Sequence, residues 1–129
     1  MSKPIHHEVH LNASPQRVYD ALLTSAQFSK WSGGAPADIA NEPGGAFSCF
    51  DGMITGRNIE LTSGRRIVQA WRAGNWADGV YSIARFDLTS DGSGTQLTFD
   101  HVGFPEDMRP HLDAGWSKMY WEPLKAHSS

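Results

Sequence analysis

The chain has 129 residues, 40% of them hydrophobic and 19% charged, with a formal net charge of −3, which suits one domain over residues 1–129. No run of Lys or Arg accompanies this slight negative charge, so the composition argues against a nucleic-acid-binding protein. The N-terminus is too polar for a secretory signal, and no segment approaches the ~20 apolar residues of a membrane span. We therefore predict a cytoplasmic protein that does not span a membrane.

The first third of the chain predicts a strand followed by two short helices. Residues 5–11 alternate between two faces, one mainly apolar and one polar, as in a half-buried strand. Ser14 can cap a helix over residues 15–23, in which apolar side chains recur at helical spacing. A second short helix follows and ends near Trp31, because two consecutive glycines then break the pattern.

The middle of the chain predicts an antiparallel meander. Strand-like segments alternate there with turns rich in Gly, Pro, Ser and Asp. The predicted strands cover residues 46–50, 53–61, 66–72, 80–88 and 95–102. The loops over residues 32–41 and 74–79 are the least structured, and we expect them to form the rim of a pocket.

Residues 106–126 return to helical spacing and predict a long closing helix. One stripe of this helix carries Met108, Leu112, Gly115, Trp116 and Met119. The order of a strand, two helices, a meander and a long helix predicts an α+β fold. In this helix-grip arrangement, a curved antiparallel sheet of six to seven strands wraps around the C-terminal helix and leaves space between them.

A series of short motifs runs through nearly the whole chain. They are ASPQRVY at 13–19, FSKW at 28–31, GGAF at 44–47, RIVQAWR at 66–72, GTQLT at 94–98, HVGF at 101–104 and YWEPLK at 120–125. In this order they resemble the family related to the activator of the heat-shock-protein-90 ATPase, within the START-like helix-grip superfamily. The eukaryotic activators that name this family resemble the chain in their C-terminal domain and carry a separate N-terminal domain. Asn58 departs from the family pattern, which usually has an apolar residue there.

Two polar residues are candidates for chemistry in the expected cavity. Alternation puts His101 on the same strand face as Leu97 and Phe99, where it would orient a ligand or move a proton. The alternative, which we favour, is a core histidine hydrogen-bonded to its neighbours. Glu60, if it faces inward, would be a desolvated acid or base; otherwise it pairs with an arginine at position 57, 65 or 66.

The sequence does not predict a metal, a cofactor or a catalytic residue. Of His6, His7 and His10, only the first and third share a strand face, and no set of carboxylates or cysteines completes a metal site. Motifs typical of nucleotide-binding proteins and hydrolases are absent from the sequence. Cys49 is the only cysteine, and its apolar surroundings predict a buried, unreactive thiol.

Aromatic residues supply most of the predicted ligand-binding set. Trp31, Trp71 and Trp116 belong to elements that border the expected cavity, where they form its wall or simply pack in the core. Trp76 lies in a loop without alternation, so we expect an exposed ring that acts as a lid or contact surface. The full predicted set is Trp31, Phe47, Asn58, Glu60, Trp71, Trp76, Phe86, Phe99, His101, Leu112, Trp116 and Tyr120.

Three functional hypotheses follow. The first is a binding module that encloses a hydrophobic small molecule, such as a lipid or an aromatic metabolite, in an internal cavity. The second, implied by the resemblance, is a co-chaperone that stimulates a heat-shock-protein-90 ATPase through a surface contact. The third is a cyclase-like or hydrolase-like enzyme, and we rank it last. A homodimer is expected only because it is the commonest oligomer.

Overall fold

The computed structural model describes residues 3–128, so positions 1, 2 and 129 of the predicted domain lie outside the described part. The strands are β1 (Ile5–Leu11), β2 (Asp38–Ile39), β3 (Ala46–Cys49), β4 (Ile54–Thr62), β5 (Arg66–Ala73), β6 (Ser82–Asp91) and β7 (Gly94–Val102). The helices are α1 (Pro15–Leu23), α2 (Ser25–Trp31), α3 (Arg109–Gly115) and α4 (Glu122–Ser128), with a 3₁₀ turn at Glu106–Met108 and a π turn at Trp116–Trp121. We call residues 106–128 the closing segment.

The strands form one sheet in the order β1-β7-β6-β5-β4-β3-β2, and every neighbouring pair is antiparallel. Apolar side chains on one face of this sheet, such as Ile67, Phe86 and Phe99, are buried together with residues of α1, α2 and the closing segment. The predicted α+β fold is therefore confirmed. Within residues 3–128, none of the helices is both long enough and apolar enough to cross a membrane.

Two of the differences from the predicted elements have local causes. The segment predicted as a loop over residues 32–41 contains the short strand β2. The Ser25 hydroxyl at the start of α2 accepts a hydrogen bond from the Ile39 amide at 2.8 Å and fixes this strand. The strand predicted to begin at residue 80 begins at Ser82, because the Val80 amide still closes a turn onto the Ala77 carbonyl.

A β-bulge reverses the side-chain alternation of β4. The register between β4 and β5 shifts between Asn58 and Glu60, so Ile59 is the extra residue. Asn58 therefore faces the core, whereas Ile59 and Glu60 both face solvent. The inward position considered for Glu60 is wrong, and its carboxylate instead lies 3.7 Å from the Arg66 guanidinium.

The π turn rotates the second half of the closing segment. A π turn joins residues five apart, and here the Glu122 amide donates to the Ser117 carbonyl. Side chains five positions apart consequently reach the same side of the helix. Trp116 and Trp121 are both buried and stack with ring centroids 5.8 Å apart.

Candidate ligand cavity

A cavity of about 390 Å³ lies between the closing segment and the end of the sheet formed by β4 and β5. Its volume falls within the ~300–1,000 Å³ that is usual for small-molecule sites. Its walls are mainly aromatic and aliphatic, and they include three of the four methionines. The lining residues are Phe50, Met53, Ile54, Trp71, Ala73, Gly74, Asn75, Trp76, Met108, His111, Leu112, Gly115, Trp116, Met119 and Tyr120.

The structure brings five of the predicted site residues to this cavity. They are Trp71, Trp76, Leu112, Trp116 and Tyr120, and all five are buried. The stripe predicted for the closing helix also lines the cavity along its whole length. Two lining residues, Met53 and Met119, are 68% and 44% exposed, so long, adaptable thioether side chains lie at the mouth of the cavity.

The other seven predicted site residues lie elsewhere. Glu60 is on the solvent face of the sheet, and the other six are buried but do not line the cavity. Asn58 uses its side chain to join two strands and a loop, since it donates to the Ala40 carbonyl at 3.0 Å and accepts from Gln69 at 3.1 Å. These contacts account for a polar residue at a core position. The remaining five are Trp31, Phe47, Phe86, Phe99 and His101.

His101 is a core histidine that positions two cavity tryptophans. Its Nδ1 accepts a hydrogen bond from the Trp116 indole at 3.0 Å, so its proton is on Nε2 and is donated to the Ser82 hydroxyl at 2.6 Å. Ser82 in turn donates to the Trp71 carbonyl at 3.0 Å. Burial lowers the pKa of His101 to about 3. With both ring nitrogens engaged and no exposed surface, His101 cannot serve as an acid or base toward a molecule in the cavity.

This neutral histidine predicts a pH dependence of stability. The unfolded chain takes up a proton on His101 below its ordinary pKa of 6.5, whereas the folded protein does not until the pH approaches 3. The stabilisation is therefore complete above pH 6.5 and is lost as the pH falls, by up to about 1.4 kcal/mol per pH unit. Urea denaturation at a series of pH values between about 7 and about 5 measures this loss.

The matched control for this pH series is the His101→Gln variant. It lacks the titrating ring, so its free energy of unfolding should change less steeply with pH. The difference between the two slopes should correspond to the uptake of about one proton on unfolding. The exposed His6 has a pKa raised by hydrogen bonds to Asp100 and Glu8, which acts in the opposite direction, but it is present in both proteins. Equal slopes for the two proteins would show that His101 is not buried in its neutral form.

Trp76 is buried, and the prediction of an exposed ring is wrong. Its side chain is only 5% exposed, although the other residues of the 74–79 loop are exposed. The ring turns inward and packs against Trp71 with centroids 5.6 Å apart. The loop does form part of the cavity rim, as predicted, because Gly74 and Asn75 line it. The 32–41 loop supplies no residue to the cavity wall, so its predicted place at the rim is wrong. Its Ile39 instead lines a separate void of only about 10 Å³.

Arg72 holds this loop in place from the end of β5. Its guanidinium donates to the carbonyls of Trp76 and Ala77, both at 2.9 Å, and to that of Val80 at 3.4 Å. It also lies 5.6 Å from the centroid of the Tyr81 ring. The planar guanidinium therefore ties three backbone carbonyls of this exposed loop to the end of β5.

Replacing Arg72 with Ala should therefore loosen the 74–80 segment without unfolding the sheet. We expect its amides to exchange with deuterium about tenfold faster, as loss of about 1.4 kcal/mol of local stability implies. Hydrogen-exchange mass spectrometry measures this rate, with β7 amides as an internal reference. Arg72→Lys keeps the charge but not the fork, so it should also exchange faster than the native protein. Unchanged exchange in both variants would rule out the anchoring role.

The remaining histidines and the cysteine do not contribute to the cavity wall, apart from His111 at its rim. His6 and His10 bind different carboxylates, Asp100 and Asp91, and within residues 3–128 no three His, Cys, Asp or Glu side chains gather as a metal ion requires. Cys49 is buried, and burial raises the pKa of its thiol to about 12, so it is unreactive at neutral pH.

The seven-stranded sheet and the closing segment packed against it define a helix-grip domain. Residues 12–129 match the model of the family described as Activator of Hsp90 ATPase homolog 1-like protein, so the chain belongs to this family.

Relatives with curated descriptions match over the same region. The mouse protein Activator of 90 kDa heat shock protein ATPase homolog 2 is 29% identical over 110 residues, which cover 85% of this chain and 33% of that protein. The Dictyostelium discoideum activator homolog is 31% identical over 113 residues, or 87% of this chain and 29% of its own length. This chain therefore spans about a third of the length of these relatives.

Solved structures support the same fold. An HSP90 activator from Plasmodium falciparum has a TM-score of 0.91 at 21% identity, and the match covers 96% of this chain and 94% of that one. The Aha1 protein of Colwellia psychrerythraea, solved as a dimer, has a TM-score of 0.80 at 21% identity over 98% of this chain and 99% of its own.

Proposed function

We propose that this domain binds a hydrophobic small molecule in the cavity of the closing segment. The observation that carries the proposal is the wall itself, which encloses about 390 Å³ and holds no Lys, Arg, Asp or Glu side chain among the described residues. Transfer of an apolar molecule from water into such a space is favourable at about 25 cal/mol per Å² of buried apolar surface. A site of this kind selects shape and hydrophobicity rather than charge.

The fixed position of the wall supports binding. Trp116 is held by the hydrogen bond to His101, and the loop of Trp76 is held by Arg72. Side chains that are already ordered lose little conformational entropy when a ligand arrives, so more of the burial free energy remains as affinity. The exposed methionines at the mouth add a flexible entrance that can adjust to different ligand shapes.

Titration with a neutral fluorescent probe tests this proposal. We use 1-aminoanthracene, an uncharged tricyclic amine whose emission rises in an apolar environment. Saturable enhancement with one probe per chain supports the cavity as a binding site. The absence of any enhancement up to the solubility limit of the probe would contradict it.

A second candidate function is stimulation of a heat-shock-protein-90 ATPase. It is favoured by the relatives, which are described as activators of that ATPase. This chain spans about a third of their length, so the test asks whether this domain is sufficient for stimulation. The test is ATP hydrolysis by a purified heat-shock-protein-90 with and without the protein. A rate that stays unchanged at saturating protein would reject this function.

Light scattering on the purified protein tests for a homodimer, the state in which the Colwellia psychrerythraea protein was solved.

A further inference from the structure

The methionines of the chain gather at the cavity. Of the four, Met53, Met108 and Met119 line it, and Met1 lies outside the described residues. The three belong to separate elements, namely the turn before β4, the 3₁₀ turn and the π turn. Tertiary structure therefore collects these thioether side chains at one place, and a chemical change to methionine acts on the cavity wall.

The turn that carries Met53 holds this residue at the mouth. The Met53 amide donates to the Phe50 carbonyl at 3.2 Å, and its carbonyl accepts from the Gly74 amide at 2.8 Å. Phe50 and Gly74 themselves line the cavity. Phe50 and Asp51 have φ angles of 54° and 55°, which non-glycine residues adopt mainly where surrounding contacts enforce them. Met53 is thus anchored through its backbone, while its side chain remains exposed.

An oxidant in solution meets two of the sulfur-containing side chains before the others. Met53 and Met119 are 68% and 44% exposed, whereas Met108 is partly buried and packs against the core. Cys49 is buried, and burial raises the pKa of its thiol to about 12, so the reactive thiolate is scarce at neutral pH. We therefore expect a peroxide to oxidise Met53 and Met119 first.

Oxidation converts the apolar thioether into a polar sulfoxide. The methionine sulfur attacks one oxygen of hydrogen peroxide, so an S–O bond forms as the O–O bond breaks. The sulfur loses two electrons, and the second oxygen takes the proton from the hydroxyl now on sulfur and leaves as water. Within residues 3–128 no Lys, Arg, Asp or Glu side chain lines the cavity, so the sulfoxide oxygen is best hydrated by water. The oxidised side chains then turn to solvent and no longer cover an apolar ligand.

We propose that Met53 and Met119 are sites of reversible oxidation by hydrogen peroxide, and that their sulfoxides weaken the binding of an apolar ligand in the cavity. This inference rests on the proposed binding function and adds a means of regulating that site. Methionine sulfoxide reductases reverse the step, since two thiols supply two electrons, become a disulfide and release the oxygen as water.

Limited treatment of the full chain with hydrogen peroxide tests the two sites. Peptide mass spectrometry should find one added oxygen on Met53 and on Met119 while Met108 and Cys49 are still mostly unmodified. Oxidation of Met108 at a rate equal to or above that of the other two methionines would refute the assignment. Circular dichroism shows whether the treated protein keeps its fold.

Titration with 1-aminoanthracene before and after treatment tests the effect on binding. We expect about tenfold weaker binding once both methionines are sulfoxides, and recovery after incubation with methionine sulfoxide reductases and dithiothreitol. The matched control is the double variant Met53→Leu/Met119→Leu, whose side chains are apolar and resist peroxide. Whatever its starting affinity, treatment should change it by less than about twofold.

The outcomes separate this inference from the proposed function. Unchanged probe affinity in the oxidised native protein would overturn the regulatory role and leave the cavity as a binding site. An equal loss in the treated Leu variant would do the same, because the loss would then arise elsewhere. Should peroxide unfold the protein, Met53→Gln/Met119→Gln places polar side chains at both positions, and native affinity in this variant counts against the inference. If the untreated protein does not bind 1-aminoanthracene, the cavity function and its regulation are both rejected.

Discussion

Replacing Trp116 with Ala is expected to lower the free energy of unfolding by about 3–5 kcal/mol, the usual cost of removing a large buried aromatic side chain. This ring lies at the centre of the core, with centroids 4.2 Å from Phe99 and 4.3 Å from Tyr120. The substitution also leaves Nδ1 of His101 without its donor. Urea denaturation followed by circular dichroism measures the loss, which is a large part of the stability of a typical domain of about 5–15 kcal/mol.

Trp116→Phe separates packing from hydrogen bonding. It keeps most of the ring but removes the N–H, so we expect it to cost about 1–3 kcal/mol through the unpaired nitrogen of His101. The order of stability should be native, then Phe, then Ala. A loss below about 1 kcal/mol in the Ala variant would show that Trp116 is not packed as described.

Replacing Gly115 with Leu should abolish ligand binding while leaving the fold intact. Gly115 lines the cavity, and a Cβ atom built on it meets nothing within 4 Å. Its backbone is already helical, at φ −63° and ψ −39°, so a larger residue introduces no backbone strain. Leu is also a better helix former than Gly by about 0.5–1 kcal/mol. The side chain would occupy the space that a ligand needs, and we expect at least about a hundredfold weaker binding of 1-aminoanthracene.

Gly115→Ala is the matched control for the variant in which Leu fills the cavity. It brings a similar gain in helix propensity but fills little of the cavity, so binding should remain within a few-fold of native. Melting temperatures of all three proteins show whether the fold is kept. Undiminished binding in a stably folded Gly115→Leu variant would place the ligand outside this cavity.

The elements of the fold could be predicted because their signals are local. Alternation identified β1 and the two faces of β7, and turn residues delimited the strands of the meander. Ser14 caps α1 through a bond from the Arg17 amide at 3.3 Å, as its position before Pro15 predicts. The residues of the stripe predicted on the closing helix likewise line the cavity. These features depend on side-chain periodicity and on hydrogen bonds between residues close in sequence.

The site was harder to predict because tertiary contacts decide it. One inserted residue, Ile59, moved Glu60 to the solvent face, and simple alternation has no means of detecting a bulge. A period of 3.6 residues does not anticipate a π turn, so Trp121 was missed as a core residue. Trp76 follows no periodic pattern, and its burial results from Arg72 and Trp71. Met53 and His111 at the mouth carry no distinctive sequence signal.

The central claim is that the cavity holds a small apolar molecule, and native mass spectrometry tests it most directly. The native protein and Gly115→Leu are purified side by side, measured without denaturation, and then extracted with organic solvent. We expect a stoichiometric additional mass on the native protein, released by the solvent, and none on the variant. A native protein with no bound mass, or the same mass on both proteins, would contradict the account.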